Sequence, residues 1–384
     1  MWRHIAANAL TFLIVGLFLL GGVVLWGAKQ YSSAGPLEQG ICLQVRSGSN
    51  MRVVSKNLEE QGALSSASIF RIGADYSGKA PSLKAGSFLI PAGASMEEIV
   101  DIVTRGGQNT CGTEVVYRVG VTRNQVEIRE LDPASNRFVE VAKYNPDEEE
   151  TPEAYGRVKE DPDTQYSVVV AEGVTSWQVL TSLSKIDGLE ADVTEVPAEG
   201  ILAPDAYEFR PGTKVSEILG KMEASQRQIL SEAWSSRADD LPFDTLEEAL
   251  ILASIIEKET GVPEERGQVA SVFINRLRQG MRLQTDPTVI YGITKGEGVL
   301  GRGLRQSELR AETPYNTYVI DGLPPTPIAN PGRASIEAAL NPEETDFIFF
   351  VADGSGGHAF AVTLDEHNRN VAKWREIESQ QGSN

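Results

Sequence analysis

Histidine and cysteine are scarce in this sequence, and each shortage excludes a class of site. The 384 residues include 2 Cys, too few for a disulfide-dense scaffold or a multi-cysteine zinc site. The 3 His, which are His4, His358 and His367, leave little material for a histidine metal cluster or a histidine-dependent triad. Any enzymatic hypothesis therefore turns to carboxylates.

Positive charge is also in short supply. The chain has 35 Lys and Arg against 54 Asp and Glu, which gives a formal net charge of -19. Phosphate binding needs clustered cations, so nucleic acid is not an expected partner. With 41% hydrophobic and 23% charged residues, the composition is that of a folded chain rather than a disordered or polytopic membrane protein. The length allows about two or three domains.

One long uncharged run lies near the N-terminus. Asn8 to Trp26 contains no charged residue, and with Ala6 and Ala7 it approaches the ~20 residues needed to cross a bilayer as a helix. The alternative is a cleavable signal peptide, but its apolar region would be ~7 to 15 residues long and would end at a small-x-small site. No Cys closes the run, as it would in a lipoprotein. We expect an uncleaved single-pass anchor in residues 1–30, with the bulk of the chain in the periplasm or outside the cell.

Both cysteines follow this anchor. Cys42 and Cys111 bracket one compact segment and lie in the compartment where disulfides persist. We expect a disulfide between them, and two free thiols are the alternative.

Hydrophobic periodicity and turn residues predict an α+β chain with a mostly helical C-terminal domain that carries short strands. The predicted order is a tether (31–42), an α/β module (43–112), a β-containing acidic insertion (113–165), a second α/β module (166–212) and the C-terminal domain (213–384). Within the insertion, residues 144–165 hold eight acidic and two basic residues, so we interpret them as a solvated segment that does nothing catalytic. The clearest helices are predicted at Thr213 to Trp234, Thr245 to Thr260 and Pro263 to Gln279; after Gly280 the chain is predicted to be irregular until a helix near Ala334.

Three local patterns resemble known site motifs but lack their context. Gly296, Gly298 and Gly301 match GxGxxG without a surrounding βαβ unit, which favours a glycine-rich surface loop. The run GSGGH places a serine near His358 without GxSxG, so His358 is expected to be structural or close to substrate. His358, His367 and Asp365 lack the HExxH spacing. We therefore expect no metal and no cofactor.

The apolar run Leu250 to Gly261 is predicted to be a helix that ends in two carboxylates. At about 100° per residue, Glu257 and Glu259 lie about 200° apart and cannot act as a pair. Glu259 continues the apolar stripe of Leu252 and Ile255, where burial would raise its pKa as a general acid requires. Glu257 projects to the other side, where a salt bridge or solvent is expected. A surface charge that closes a helix is the alternative for Glu259, and this geometry does not decide between the two.

Several runs together resemble the MltG-type (YceG-like) endolytic murein transglycosylases. The runs are ASIIEKETG (253–261), VASVFINRLR (269–278), MRLQTDPTVIYG (281–292), YNTY (315–318), GLPPTPIANPG (322–332), FVADGSGGHAF (350–360) and EHN (366–368). The resemblance covers most of the chain after Leu43, and the anchor also fits the family.

The resemblance implies a fold, a reaction and a catalytic residue. It implies a LysM-like module in the N-terminal part, and it places the catalytic carboxyl at Glu259. The implied reaction cleaves the β-1,4 bond between N-acetylmuramic acid and N-acetylglucosamine without water and leaves a 1,6-anhydro-muramic end. One carboxyl suffices, whereas ordinary glycoside hydrolases need a second carboxylate.

The same resemblance implies a substrate cleft. Its polar candidates for sugar hydroxyl and acetamido groups are Gln284, Asp286, Asn316 and Tyr318, and Tyr291 is the candidate for stacking on a sugar ring. The alternative for each is a structural role in a loop. A role for Tyr207 or Asp205 stays open, because Ala206 stands where the family commonly has Thr.

Taken together, these expectations describe a single-pass inner-membrane lytic transglycosylase that cuts nascent peptidoglycan strands and limits their length. Its expected partners are glycan strands, the membrane and peptidoglycan synthases. Two alternatives remain at this point. One is a non-catalytic peptidoglycan-binding scaffold, and the other is a hydrolytic muramidase that releases reducing ends.

Overall fold

The structure is a computed structural model that describes residues 2–46, 48–105, 111–159, 161 and 164–381. The side chains of residues 2–10 and 12 lie outside the description, so the start of the predicted anchor is described only as backbone. Residues 160, 162 and 163 of the predicted acidic segment also lie outside the described residues.

The first helix, α1 (Trp2–Ser32), contains the predicted anchor. Its stretch Leu13–Ser32 has a mean hydropathy of 1.7, is not buried within the protein, and is long and apolar enough to cross a membrane. The helix runs two residues into the predicted tether. There, the Tyr31 ring packs so closely against Gly73 that a Cβ at Gly73 would lie 2.2 Å from the ring.

The chain divides into two compact units. The N-terminal unit comprises Met1–Val115, Glu127–Lys143 and Thr151–Gln165, and the C-terminal unit comprises Val116–Val126, Tyr144–Glu150 and Tyr166–Asn384. After α1 the chain forms β1 (Ile41–Val45), α2 (Met51–Glu60), α3 (Ala67–Tyr76), a 3-10 turn (Ala80–Ser82), β2 (Gly86–Ile90), α4 (Met96–Arg105), β3 (Thr113–Val119), β4 (Gln125–Asp132), β5 (Arg137–Tyr144) and α5 (Glu153–Lys159).

The α/β module predicted after the anchor has its own core. Strands β1 and β2 pair antiparallel with Ile41 opposite Ile90, and α2, α3 and α4 supply apolar side chains such as Leu58, Phe70 and Ile99, all fully buried. Asn50 begins α2 by accepting hydrogen bonds from the N–H groups of Arg52 and Val53, as an N-cap residue does.

Cys42 and Cys111 form a disulfide in this unit. Their Cα atoms lie 5.6 Å apart, which is a normal separation for a disulfide. The bridge ties the first strand of the module to the residues just after α4.

The prediction that residues 144–165 form a purely solvated segment is wrong for its middle. Helix α5 lies within it, and Tyr155 and Val158 are each only 7% exposed. Tyr155 and Val158 lie one helical turn apart and share a face, so two apolar side chains are enough to order a segment that is otherwise acidic.

The C-terminal unit continues with further strands and helices. In order they are β6 (Gln165–Val170), α6 (Ser176–Leu183), β7 (Leu189–Glu190), β8 (Ala206–Phe209), β9 (Thr213–Lys214), α7 (Val215–Ser235), α8 (Leu246–Glu259), a 3-10 turn (Pro263–Glu265), α9 (Arg266–Arg278), α10 (Asp286–Thr294), α11 (Gln306–Leu309), α12 (Arg333–Leu340), β10 (Phe349–Ala352), β11 (His358–Ala361) and α13 (Leu364–Gln381). The mixed α+β class predicted from the sequence is confirmed.

The strands form four small sheets in the described part of the chain. The largest has the order β5-β4-β3-β6-β8, and β6 and β8 pair antiparallel with Tyr166 opposite Phe209. Strands β10 and β11 form an antiparallel pair with Ala352 opposite His358, and β7 and β9 form a short parallel pair.

Helix α8 lies at the centre of the C-terminal unit. Thr245 and Glu248 form a capping box at its start, and every residue from Ala249 to Ile256 is buried. This helix packs in one core with α9 and α12, to which Phe273 and Ile336 contribute fully buried side chains. A helix buried on all sides holds its last residue firmly, and that residue is Glu259.

The prediction of an irregular chain after Gly280 is wrong at one important place. Residues Asp286–Thr294 form α10, with Pro287 in its first turn, where a missing N–H is tolerated. An Asp-Pro pair suits the first turn of a helix as well as a turn in a loop, so the sequence alone does not distinguish the two.

Candidate active site

The candidate site forms where the end of α8 meets the start of α10. Glu259 is the last residue of α8, and the next residue, Thr260, has an extended conformation with φ of -138°. The carboxylate Oε1 of Glu259 accepts a hydrogen bond from the hydroxyl of Thr285, which immediately precedes α10. The partner of the acidic side chain is therefore a neutral hydroxyl.

A group of buried threonines holds Thr285 in place. The N–H of Thr285 donates to the hydroxyl of Thr317 at 3.0 Å, and the hydroxyl of Thr288 donates to the carbonyl of Thr285 at 2.9 Å. All three residues are 2% exposed or less. These contacts leave the Thr285 hydroxyl free to point at Glu259.

Burial raises the pKa of Glu259 above its ordinary value of 4.5. The hydrogen bond from Thr285 opposes this rise, as do the electrostatic interactions with His358 and Arg276, while the negative charge of Asp286 adds to it. A raised pKa keeps a carboxyl protonated nearer to neutral pH, and a general acid needs that property. The burial expected from the stripe of Leu252 and Ile255 is thus found at the helix end.

Tyr318 and Asp286 form a pair beside Glu259. The hydroxyl of Tyr318 donates to Oδ1 of Asp286 at 2.7 Å. Burial raises the pKa of Tyr318, and its hydrogen bond to Asp286 and the nearby charge of Glu259 raise it further. The tyrosine therefore remains a hydrogen-bond donor. The structure thus brings together three of the residues predicted for the site: Glu259, Asp286 and Tyr318.

Arg276, which the sequence did not assign to the site, and His358 also lie near Glu259. Arg276 of α9 is only 7% exposed, and its Nε donates to the carbonyl of Ile348 at 2.7 Å. At the start of β11, His358 Nδ1 lies 2.9 Å from Oε2 of Glu265, whose Oε1 accepts the backbone N–H of His358 at 2.9 Å. Glu265 thereby fixes the ring of His358, a residue predicted to be structural or close to substrate.

Of the predicted cleft residues, Gln284 is exposed and Asn316 is buried. Gln284 is exposed in a left-handed backbone conformation with φ of 51°, and its N–H donates to the carbonyl of Thr317. Asn316 is fully buried, its Nδ2 donates to the carbonyls of Glu308 and Ala311, and its Oδ1 accepts from the N–H of Tyr318. The amide of Asn316 is used entirely within the loop, so its role is to brace the backbone that carries Tyr318.

Tyr291 lies in α10 but its ring is not free on either side. Its hydroxyl donates to Oε2 of Glu199 at 3.1 Å, and its ring centroid lies 5.1 Å from that of Tyr315. Gly296 approaches so closely that a Cβ there would lie 3.0 Å from the Tyr291 ring. The ring therefore forms a fixed wall, which differs from the open stacking surface predicted from the sequence.

Glu257 was predicted to form a salt bridge or to face solvent, and the structure shows a different environment. Its Oε2 accepts hydrogen bonds from the N–H of Gly332 at 3.0 Å and from the hydroxyl of Ser335 at 2.7 Å. Gly332 precedes α12, so the carboxylate satisfies backbone N–H groups at the start of that helix and interacts favourably with its dipole. Glu257 therefore stabilises a helix end instead of pairing with a cation or facing solvent.

Two other residues that the sequence left open have structural contacts. The hydroxyl of Tyr207 donates to the carbonyl of Ala203 at 2.8 Å, and burial raises the pKa of Tyr207 to about 12. His367 stacks on Phe349 with ring centroids 5.0 Å apart. Neither contact belongs to the group of residues around Glu259.

Sequence reasoning missed Thr285, Arg276 and Glu265. Thr285 is 26 residues from Glu259 in sequence, and a threonine before Asp-Pro reads as an ordinary helix cap. Arg276 lies on an otherwise apolar face of α9, which is a detectable signal because a cation in such a stripe needs partners when it is buried. Glu265 could be found only from the tertiary contact with His358.

Comparison with known proteins shows which family this chain belongs to. The model of the YceG-like family matches residues 135–373. A Bacillus subtilis (strain 168) protein named endolytic murein transglycosylase is 28% identical over 366 residues, which cover 93% of this chain and 91% of that protein. A Streptococcus pneumoniae (serotype 2, strain D39) protein of the same name is 27% identical over 96% of this chain, which spans 65% of the relative's length.

Among solved structures, a YceG-like protein from Listeria monocytogenes aligns with 25% sequence identity and a TM-score of 0.43. The alignment covers 86% of this chain and 99% of that protein. The match of the family model extends over more than half of the chain and includes every residue described around Glu259. The chain belongs to the YceG-like family.

Proposed function

We propose that this protein is an endolytic murein transglycosylase, a lyase that acts on peptidoglycan, and that Glu259 is its catalytic acid and base. Family membership and the names of the relatives from Bacillus subtilis and Streptococcus pneumoniae support the activity. The observation that carries the assignment of Glu259 is its environment: a half-buried carboxyl at the end of a helix with a buried centre, whose pKa desolvation raises and whose hydrogen-bond partner is the Thr285 hydroxyl.

In the first half of the reaction, protonated Glu259 donates its proton to the oxygen of the β-1,4 bond. The bond between that oxygen and C1 of the muramic residue breaks, and the N-acetylglucosamine end leaves with the proton. Positive charge develops on the muramic ring, where the substrate's own acetamido group stabilises it. The Glu259 carboxylate that forms is stabilised by the hydroxyl of Thr285, by the charge of Arg276 and, when its ring is protonated, by His358.

In the second half, the muramic 6-hydroxyl attacks C1. The Glu259 carboxylate takes the proton of that hydroxyl as the new bond forms, which restores the protonated acid. The product is a 1,6-anhydro-muramic end, and no water is consumed. Tyr318 and the exposed Asp286 are positioned to bind polar groups of the sugar next to the bond that breaks.

One observation favours a hydrolytic muramidase as a second candidate. The carboxylate of Asp286 lies close enough to Glu259 for its charge to raise the pKa of Glu259. A second carboxylate could activate a water molecule, as in inverting glycosidases. That alternative predicts reducing ends in place of anhydro ends.

We also propose that α1 anchors the enzyme in the bacterial inner membrane and that the two units lie on its outer side, in the periplasm. The apolar stretch Leu13–Ser32 supports a single span. The Cys42–Cys111 disulfide supports an oxidising compartment for the N-terminal unit. The N-terminal α/β module, proposed as LysM-like, would then hold glycan strands near the membrane, where synthases release them.

The test is product analysis by mass spectrometry after incubation of the full-length protein with purified peptide-bearing glycan strands. We expect anhydro ends from the wild type and no cleavage by Glu259→Gln, which keeps the shape of the side chain and removes its titrating proton. Glu264→Gln is the matched control. It makes the same chemical change at an exposed glutamate five residues away from Glu259. Activity retained in Glu259→Gln would refute the assignment, and absence of cleavage by the wild type would favour the non-catalytic scaffold.

A further inference from the structure

The glycine-rich segment after α10 forms one wall of a cavity of about 350 Å³. We call it the α10 cavity, and its lining includes Lys258, Ile290, Tyr291, Gly298, Val299 and Leu300. We propose that the α10 cavity is a sugar subsite that binds one neutral N-acetylated hexose of the glycan, away from the bond that is cut. This inference rests on the proposed function, whose substrate it describes in more detail.

The α10 cavity adjoins the residues around Glu259. Lys258, in its lining, immediately precedes Glu259, and Pro287, also in its lining, immediately follows Asp286. A β-1,4-linked glycan is an extended polymer, so a strand bound with one linkage at Glu259 continues over neighbouring surfaces. The cavity volume falls within the range typical of ligand sites.

The cations in the lining do not offer a site for a carboxylate. Lys258 donates to the carbonyl of Gly173 at 3.1 Å and faces the carboxyl groups of Glu257 and Glu199. Arg302 forms an ion pair with Glu308 at 2.6 Å. Because both cations already have protein partners, the charge around the α10 cavity favours a neutral sugar over an acidic stem peptide.

The remaining surface of the cavity suits an amphipathic sugar ring. Ile290, Val299, Leu300 and Ile328 provide apolar surface for the C–H groups of a hexose and for an acetamido methyl group. In the described chain, the backbone N–H and C=O groups of residues 298–301 make no hydrogen bond to protein, so they are available to hydroxyl and acetamido groups. Ligand sites commonly combine an apolar lining with a few such polar groups.

The wall is held in a defined position before any ligand binds. The hydroxyl of Thr175 donates to the carbonyl of Gly296 at 2.6 Å. A side chain at Gly296 would meet Tyr291, Glu199 and Thr175 within 3.3 Å, and its φ of 78° also favours glycine. A wall anchored at Gly296 loses little entropy when a sugar binds beside it.

The direct test is a methyl NMR titration of the full-length wild-type protein with the N-acetylglucosamine tetramer, a neutral probe. We expect the methyl resonances of Ile290, Val299 and Leu300 to shift as the tetramer is added. A free stem peptide without sugar should leave them unchanged. If the peptide shifts them and the tetramer does not, the proposed sugar specificity is overturned.

Ile290→Trp provides a second test because the larger side chain fills the α10 cavity. Its matched control is Ile293→Trp on the same helix, since Ile293 is 41% exposed and does not line the cavity. We expect Ile290→Trp to weaken tetramer binding about tenfold or more and to change the length distribution of glycan products. The control should behave as the wild type does.

Equal tetramer affinity in the two variants would overturn the subsite. Failure of the proposed enzymatic function can be distinguished from failure of the proposed subsite, because binding of the tetramer does not depend on cleavage. A wild-type protein that releases no anhydro ends, but whose cavity methyl groups respond to the tetramer, refutes the enzymatic proposal and supports the subsite. If Ile290→Trp does not fold, the titration of the wild type still decides the question.

Discussion

At the scale of single residues, Glu257 and Glu259 show how the helical period separates two carboxylates of the same type. Glu259 turns toward Thr285, whereas Glu257 turns toward the start of α12. The sequence predicted this separation, because two residues correspond to about 200° of rotation. It could not predict the partners, which lie 26 and 75 residues away in the chain.

The stability of the protein should report the raised pKa of Glu259. Burial raises the pKa of Glu259 in the folded state. The contribution of the neutral carboxyl to the free energy of unfolding is therefore fully present below pH 4.5, the ordinary pKa that the group has in the unfolded chain. It is lost as the pH rises through the folded pKa. Gln stays neutral, so we expect Glu259→Gln to gain stability over the wild type as the pH rises from 4.5 through the folded pKa of Glu259. Chemical denaturation of both proteins across this pH range checks the difference, and a constant difference would contradict the assigned environment.

Tyr318→Phe should slow the reaction without unfolding the protein. The substitution removes the donor that bonds Asp286 at 2.7 Å. A hydrogen bond to a charged group is worth about 1.5 to 3 kcal/mol, so we expect kcat/KM to fall about 10- to 100-fold. Tyr315→Phe is the control, because it removes a hydroxyl whose partner is the neutral Thr326. Equal rates for the two variants would show that the pair with Asp286 is dispensable.

At the scale of elements, the sequence pattern predicts some helices better than others. Apolar periodicity predicted α8 and α9 to within a few residues. The start of α10 at Asp286 was missed because Asp-Pro suits a turn as well as a first helical turn. Helix α5 was not predicted, because its two buried apolar side chains produce only a weak hydrophobic pattern within an acidic segment.

The start of α12 depends on Glu257, which belongs to another element. We expect Glu257→Ala to destabilise the C-terminal unit by about 1 to 2 kcal/mol, because the N–H of Gly332 and the hydroxyl of Ser335 lose their acceptor. The activity of the folded fraction should be unchanged. Urea unfolding measures the loss of stability, and glycan cleavage in buffer without denaturant measures the activity. A loss of kcat with full stability would move the catalytic assignment toward Glu257.

At the scale of the whole molecule, the charge of -19 argues against a nucleic-acid partner but does not locate a site. The scarcity of histidine directed attention to carboxylates, and the residues around Glu259 then depended on tertiary structure. Arg276, His358 and Thr285 come from three separate elements or loops, and only folding brings their groups to one carboxyl. The sequence therefore offered a candidate acid, whereas the groups that surround its carboxyl depend on the fold.

The disulfide should stabilise the N-terminal unit alone. Cys42 and Cys111 are 69 residues apart, and closing a loop of that length corresponds to about 4 kcal/mol in the chain-entropy account. We expect the double substitution Cys42→Ser and Cys111→Ser to lower the unfolding free energy of this unit by up to that amount. Glu259 lies in the other unit, so kcat should be retained. Limited proteolysis with increasing urea measures the first effect, and a comparable loss in both units would contradict the prediction.

Whether Glu259 catalyses cleavage without water can be measured by mass spectrometry of glycan products formed in water enriched in heavy oxygen. We expect muramic ends that are one water lighter than reducing ends and that carry no heavy oxygen. We expect Glu259→Gln to form none of them. Reducing ends that contain heavy oxygen would refute cleavage without water and would instead support a hydrolytic muramidase.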